Sequence, residues 1–245
     1  MKFGITKNNS LDSYITSLLR ETREAKHRKK NIHARLAAYC PKQNYYYAHS
    51  DEKVDNYFDE KSKIYMGIGN GVSKTLENEF RRNKVLIDCE RKVSKTILGT
   101  EVSGYIDYVI KDQNNETRGI ELKTCGKLPS SPKREHLYQA ITYMLLEELD
   151  KFSLVYVSRN VVDSSGNLAI KTFDLDNLDE SIKQEAINRI ILSAYAVKNN
   201  YLPKTKPTDV SCYYCPFYKI CDKKKDELLE NQDYNLVRKY IDNGC

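Results

Sequence analysis

Asp107, in "GYIDYV", and Glu121 with Lys123, in "IELK", are residues whose types and spacing could do chemistry. Both stretches read as strands. Side chains alternate faces along a strand, so Glu121 and Lys123 share one face and Leu122 takes the other. The intervening "QNNE" (113–116) reads as a turn, which makes the two strands hairpin partners and carries Asp107 towards Glu121. Two carboxylates and an ammonium then converge. Carboxylate oxygens suit Mg²⁺ or Mn²⁺, with the Leu122 carbonyl as a further ligand. Such an ion acidifies water and neutralises a phosphodiester, while Lys123 would orient the attacking water or steady the developing charge. Taken alone, the same residues also suit a solvated face of alternating charge.

Two more sets stand out. Gln139 and Tyr143 are four apart in the amphipathic stretch "KREHLYQAITYMLLEEL" (133–149) and so share a helix face, with His136 one turn earlier. They could back a metal site or touch the strand being cut. "SCYYCPFYKIC" (211–221) crowds Cys212, Cys215 and Cys221 into eleven positions. With one more thiolate they would complete a tetrahedral zinc site or a [4Fe–4S] cluster, and spacing alone does not separate the two. Cys89 and Cys125 lie in apolar strand contexts and read as core residues; they and Cys245 lack the pattern.

The elements that must position these groups follow from periodicity. Residues 11–38 carry apolar positions at helical spacing, including Leu11, Ile15, Leu18, Leu19, Ile32 and Leu36, around a charged "REAKHRKK". "MGIGNGVSKTLENEF" (66–80) reads as a Gly-rich entry to a helix. A β-rich block spans 84–112, broken at Gly99 and Gly104, and 117–125 is a further strand. After the helix at 133–149 come strands in "KFSLVYVSRN" and "NLAIKTFDL", a helix over 179–198, a linker, the cysteine cluster and a charged tail. Helices, several antiparallel strands, a helix and more strands predict an α/β (α+β) fold, a mixed sheet flanked by helices. The length of 245 residues allows one large domain.

Forty basic against 34 acidic residues leave a net charge of +6, compatible with a polyanionic partner without demanding one. "HRKK" (27–30), "RRNK" (81–84) and "KKK" (223–225) could track phosphates, and Tyr45, Tyr46 and Tyr47 could stack on bases or pack internally. The start lacks the apolar run of a signal peptide, and no stretch of about 18 apolar residues occurs. The expectation is a cytoplasmic protein without a membrane partner, in which an odd count of seven cysteines argues against a disulfide framework.

In order and spacing, "GYID", then "ELK" 14 residues on, then "QAITY" as Q-x-x-x-Y, the sequence resembles the RecB-family branch of the PD-(D/E)XK nucleases. It is similar in particular to members whose cysteine cluster is split between the two ends of the domain, as in the CRISPR-adaptation nuclease Cas-four and the nuclease domain of AddB. The resemblance implies a restriction-endonuclease-like core and a Mg²⁺- or Mn²⁺-dependent exonuclease acting on single-stranded DNA ends. Asp107, Glu121, Lys123, Gln139 and Tyr143 would be its catalytic set. It supplies the fourth thiol, Cys40 in "AYCPKQ", and favours [4Fe–4S] over Zn²⁺ for Cys40, Cys212, Cys215 and Cys221, a clasp joining the two ends of the chain. A single nuclease domain over 1–245 would comprise a helical part (1–65), the core (66–200) and the cysteine cluster with its tail (201–245). Many members carry a histidine where this chain has Ser73, so Ser73 or Glu77, one turn on, would be the further metal ligand; Glu90 sits where an acid is frequent. Protein partners in recombination or CRISPR adaptation follow from the same resemblance. A catalytically weak DNA-end-binding or assembly module is the alternative that Ser73 raises.

Overall fold

The computed structural model describes residues 13–14, 21–24, 31–50, 55–58, 60–162, 166, 168–204, 215–217 and 220–221. Its elements run β1 (Glu21–Glu24), β2 (Ile32–His33), α1 (Ala34–Ala37), α2 (Pro41–His49), β3 (Asp55–Phe58), α3 (Glu60–Arg82), β4 (Leu86–Ile97), β5 (Thr100–Lys111), β6 (Thr117–Cys125), α4 (Arg134–Glu147), β7 (Phe152–Val162), β8 (Leu168–Asp174) and α5 (Glu180–Asn199).

β4 and β5 form a long antiparallel hairpin because Leu98 and Gly99 both take positive φ (50° and 77°), the two-residue turn whose twist matches that of the strands. The next reversal is closed by Asp112, whose carboxylate accepts from the backbone N–H groups of Asn114 and Glu116, with Asn115 at φ 61°. That is the turn expected at 113–116. β6 then runs parallel to β7 and β7 antiparallel to β8, giving a six-stranded mixed sheet of order β2-β5-β6-β7-β8 with β4 also on β5. β1 and β3 make a separate two-stranded ribbon.

One edge of β5 serves two partners. β2 pairs with it in parallel at Val102 and Ser103, and β6 pairs with it antiparallel from Tyr108↔Ile120 to Lys111↔Thr117. From Gly104 to Asp107 this edge belongs to neither, and the sheet forks there. α4, α5 and α1 cover one face, burying Ile32, Ala34, Val102, Ile106, Val109, Tyr138, Ile141, Leu154, Ala186 and Ile190 in one core. α3 packs on the other face, with Gly69 against Thr124 and Phe80 edge-on to Tyr108.

Several expectations need correcting. The helical spacing read over 11–38 is not one continuous helix: among the described residues 13–14 and Ala34–Ala37 are helical, whereas Glu21–Glu24 is a strand paired with β3 and Ile32 is a buried strand residue. Gly104 does not break β5. A Cβ built on it would lie 2.7 Å from the Tyr143 ring and 2.8 Å from Ala34 Cβ, so the glycine is there for close approach of α4 and α1. Cys89 is half-buried, its sulfur accepting from Arg81 at 3.3 Å, because it faces the charged flank of α3. Cys125 is half-buried against the core. No helix among the described residues is long and apolar enough to cross a membrane.

Candidate active site

The fork in the sheet carries the chemistry. Ile106 and Val109, three residues apart, belong to the same core, so strict alternation slips by one between them. The slip falls beside Asp107. Across from it, flanked by the pairs Cys89↔Tyr108 and Arg91↔Ile106, Glu90 has φ 49° although it is not glycine. The register of β4 on β5 is unbroken across this point, so the strain at Glu90 is local to its backbone, the kind of strain that gathers at functional sites. With β5 diverging from β6, the Leu122 N–H has no strand carbonyl on that side; Asp107 Oδ2 accepts from it at 2.7 Å. The side chain replaces the missing ladder bond and is thereby fixed next to Glu121.

Glu121 is 2 % exposed. Its Oε1 accepts from Lys123 Nζ at 2.6 Å, the same ammonium donates to Gln139 Oε1 at 3.0 Å, and Gln139 Nε2 donates to the Tyr143 hydroxyl at 3.1 Å. A relay thus runs from β6 into α4, and the shared helix face read from the i, i+4 spacing is the face turned to the strand. Glu121 Oε2 is buried with no hydrogen-bond partner. An anionic oxygen in that state is costly, and its cost falls if a cation binds it. Electrostatics agree: burial and then the neighbouring Glu121 charge push Asp107 up to about 7, and burial pushes Glu121 up despite Lys123. Burial likewise raises the Tyr143 phenol, which therefore stays protonated as a hydrogen-bonding group.

The donor set fits a hard divalent cation: the bare Oε2 of Glu121, the second oxygen of Asp107 and the intervening backbone carbonyl of Leu122. Such an ion would supply an acidified water and charge neutralisation at phosphorus. Neither Ser73 nor Glu77 joins this set by hydrogen bonding. Ser73 Oγ lies 2.5 Å from the Tyr108 hydroxyl, which also donates to the Ser73 carbonyl at 2.7 Å. Glu77 is held by Lys74 and Arg81, each at 2.9 Å, and those two contacts keep its carboxyl below the usual range. Both residues are engaged with α3 and its packing. His136 stands beside Tyr156, Nδ1 to hydroxyl 2.8 Å, and burial with nearby cations lowers its pKa to about 3, so its ring is neutral.

The cysteines are only partly described, since Cys212 lies outside the described residues. Cys40 is the N-cap of α2, a position tied down by Asn44, which donates to Leu36 O and Ser193 Oγ, and by Arg189, which donates to Ala38 O and Tyr39 O. Phe217, between Cys215 and Cys221, is buried against α2, stacked on Tyr46 and edge-on to Tyr47. Those two tyrosines therefore pack against the C-terminal segment. Among the described residues no group of three or more His, Cys, Asp or Glu side chains is arranged to hold a metal ion. The described thiols do not by themselves build a cluster site.

Sequence reasoning missed Arg35. It sits on α1 with its side chain exposed, and its positive charge is felt at both Glu121 and His136. A four-residue helix carries no periodicity by which it could have been found.

A forked mixed sheet with an Asp, a Glu and a Lys at the fork, flanked by helices, is the architecture of a nuclease core. The sequence matches the PD-(D/E)XK nuclease superfamily over residues 9–222, and the chain belongs to that superfamily. Among solved structures, that of SSO0001 is similar to this fold at 20 % identity, covering 88 % of this chain and 93 % of that one, with a TM-score of 0.53. The alkaline exonuclease LHK-Exo from Laribacter hongkongensis is more distant, at 13 % identity, 71 % and 90 % coverage and a TM-score of 0.40. Its complex with dAMP gives 15 %, 70 %, 89 % and 0.39. No curated protein matches the sequence.

Proposed function

We propose that this nuclease-superfamily chain is a Mg²⁺- or Mn²⁺-dependent DNA exonuclease acting on single-stranded ends. The observation that carries this reading is the buried, unpartnered Oε2 of Glu121 beside a second high-pKa carboxylate and an ion-paired lysine. Asp107 and Glu121 would hold the ion, with the Leu122 carbonyl as a further oxygen. Lys123, kept in place by Gln139 and Tyr143, would orient the attacking water and face the charge that develops on the phosphate. Single-strand preference and attack from an end come from the resemblance to the RecB branch.

The direct test is incubation with labelled single-stranded DNA and Mn²⁺. Wild type should release mononucleotides or short products, and Glu121→Ala should release none. Full activity in Glu121→Ala excludes this site.

A second reading is a DNA-end-binding module without cleavage. The engagement of Ser73 with Tyr108, where a metal-binding histidine is common in the branch, favours it. Binding without cleavage in both Mg²⁺ and Mn²⁺ would establish it. We further propose that Cys40, Cys212, Cys215 and Cys221 carry a [4Fe–4S] cluster joining the two ends of the chain. The docking of Phe217 on the helix capped by Cys40 supports this. Anaerobic purification with absorbance and metal content tests it: a colourless protein containing zinc supports the zinc alternative instead.

A further inference from the structure

Three cations meet at the first turn of α4, and one of them is already spent. Lys123 is engaged by Glu121 and Gln139. Lys133 and Arg35 are exposed, and among the described residues neither head group has a hydrogen-bond or carboxylate partner. Arg81, Arg82, Arg91, Lys95 and Arg134 are, by contrast, each paired with a glutamate. The helix that carries Arg35 packs against α4, whose N-cap is Lys133, and the positive charges of Lys123, Lys133 and Arg35 all bear on the half-buried imidazole of His136 in the first turn of α4. The acid facing this turn is Glu135, with Oε1 3.5 Å from His136 Nε2.

The backbones that carry the two open cations are fixed. Ala34 and Ala37 are fully buried on either side of Arg35, and α1 sits so close over β5 that only glycine fits at position 104. The Lys133 N–H donates to the Tyr156 hydroxyl at 3.1 Å, the same hydroxyl that meets His136, and Tyr156 is the ladder partner of Lys123. Both cations are therefore held on the α4 side of the fork, the side on which Glu121 and Lys123 lie. An arginine fork and an ammonium are the two side chains that pair best with phosphate oxygens. Without a ligand, two uncompensated cations beside a third repel one another, and a bound anion removes that cost.

We propose that Arg35 and Lys133 form a backbone-phosphate subsite that grips a phosphodiester adjoining the one held at Asp107 and Glu121, an inference that rests on the nuclease reading for its choice of anion. A substrate strand would then be anchored at two successive points, one reactive and one passive. The passive grip would raise affinity and fix register without touching the bond that breaks.

Two measurements test this and separate its failure from that of the nuclease reading. The first is binding of fluorescein-labelled oligothymidylate with Ca²⁺ as the divalent ion, followed over a salt series. Arg35→Ala and Lys133→Ala should each weaken binding about tenfold and flatten the log K against log salt slope by about 0.7 per lost contact. Arg35→Lys should keep most of the slope. Wild-type affinity and slope in the double variant overturn the subsite. The second compares two substrates in Mn²⁺: the oligonucleotide and thymidine 5′-(p-nitrophenyl phosphate), which has a single phosphodiester. The variants should raise KM for the first and leave kcat/KM for the second unchanged. Equal losses on both overturn the passive grip. If wild type cleaves neither substrate, the nuclease reading fails while the binding series still decides the subsite.

Discussion

Arg118 and Glu121 lie three residues apart on β6, both in charged clusters, and the two clusters are built on opposite principles. Arg118 donates to Asp112 at 3.2 Å, to Ser153 at 3.0 Å, to Asp174 at 3.2 Å and in bidentate fashion to Asp176 at 2.9 and 2.7 Å. Every charge there is answered. The Arg118 hydrogen bond holds the Asp176 carboxyl below its ordinary range, and backbone N–H groups with Arg118 do the same for Asp112. At Glu121 one oxygen is answered and one is not, and both carboxylates are pushed up. The first cluster stitches β6 to β7, β8 and the 112–116 turn. The second holds charge in a state that folding alone would not choose, which is the signature expected of a site awaiting a cation and a substrate.

The largest effect should come from removing the unanswered charge. Glu121→Gln keeps the shape and abolishes cleavage of labelled single-stranded DNA in Mn²⁺, yet it should leave the metal-free melting temperature unchanged or raise it, because a buried anion is gone. Arg118→Ala should do the reverse: a melting temperature lower by about 5 °C, from acids left without their counter-charge, with cleavage at permissive temperature within a factor of about two. Calorimetry and the nuclease assay on both variants check this. A Glu121→Gln protein that unfolds more readily than Arg118→Ala would erase the contrast.

The Glu121 half of this contrast is legible in the sequence, and the reason is local; the Arg118 half is not. The alternation in "IELK", the turn at 113–116 and the i, i+4 spacing of Gln139 and Tyr143 depend only on neighbours in the chain. What was hidden depends on partners far away. Residue type does not announce that Glu90 adopts φ 49°, since the strain is imposed by the strands on which β4 must register. The fork needs β2, two residues long, to take part of the β5 edge, and so short a strand has no pattern of its own. Gly104 reads as a break in the sequence because glycine is read by conformation first; here its missing Cβ makes room for Tyr143. Motif register singles out Ser73, and only the packing of Tyr108 shows where its hydroxyl is spent.

The two clusters should also answer pH with opposite sign. Asp107 and Glu121 have folded-state pKa values above their unfolded ones, so their contribution to stability is present at low pH and is lost as pH rises through the folded values, about 7 for Asp107. Asp112 and Asp176 are depressed, so theirs is present above the unfolded value and lost as pH falls through the folded one. Below about pH 6.5 His136 adds a slope of the opposite sign, because its buried ring stays neutral while the unfolded imidazole takes up a proton; from about pH 6.5 to 8 that slope is gone, and the metal-free melting temperature should fall as Asp107 ionises. Asp107→Asn should flatten the fall. Added Mn²⁺ should raise the melting temperature more at pH 8 than at pH 6, because binding competes with protons, and cleavage should climb over the same interval. A metal-free melting temperature that rises from pH 6.5 to 8 contradicts the charge state assigned to the site.

The smallest effect tests how far the relay behind Lys123 matters. Tyr143→Phe removes the hydroxyl that accepts from Gln139 Nε2 and leaves a ring that still fills the space over Gly104. Gln139 then loses one of two restraints, while Lys123 keeps its 2.6 Å contact to Glu121. The ammonium should stay close but wander in angle, so kcat should drop about three- to tenfold with KM unchanged, by analogy with outer-shell partners of reactive groups. Gln139→Leu should cost more, since it breaks both contacts at once. If Tyr143 served packing alone, the phenylalanine variant would be as fast as wild type, and the chain from β6 into α4 would be a structural strut like the one around Arg118.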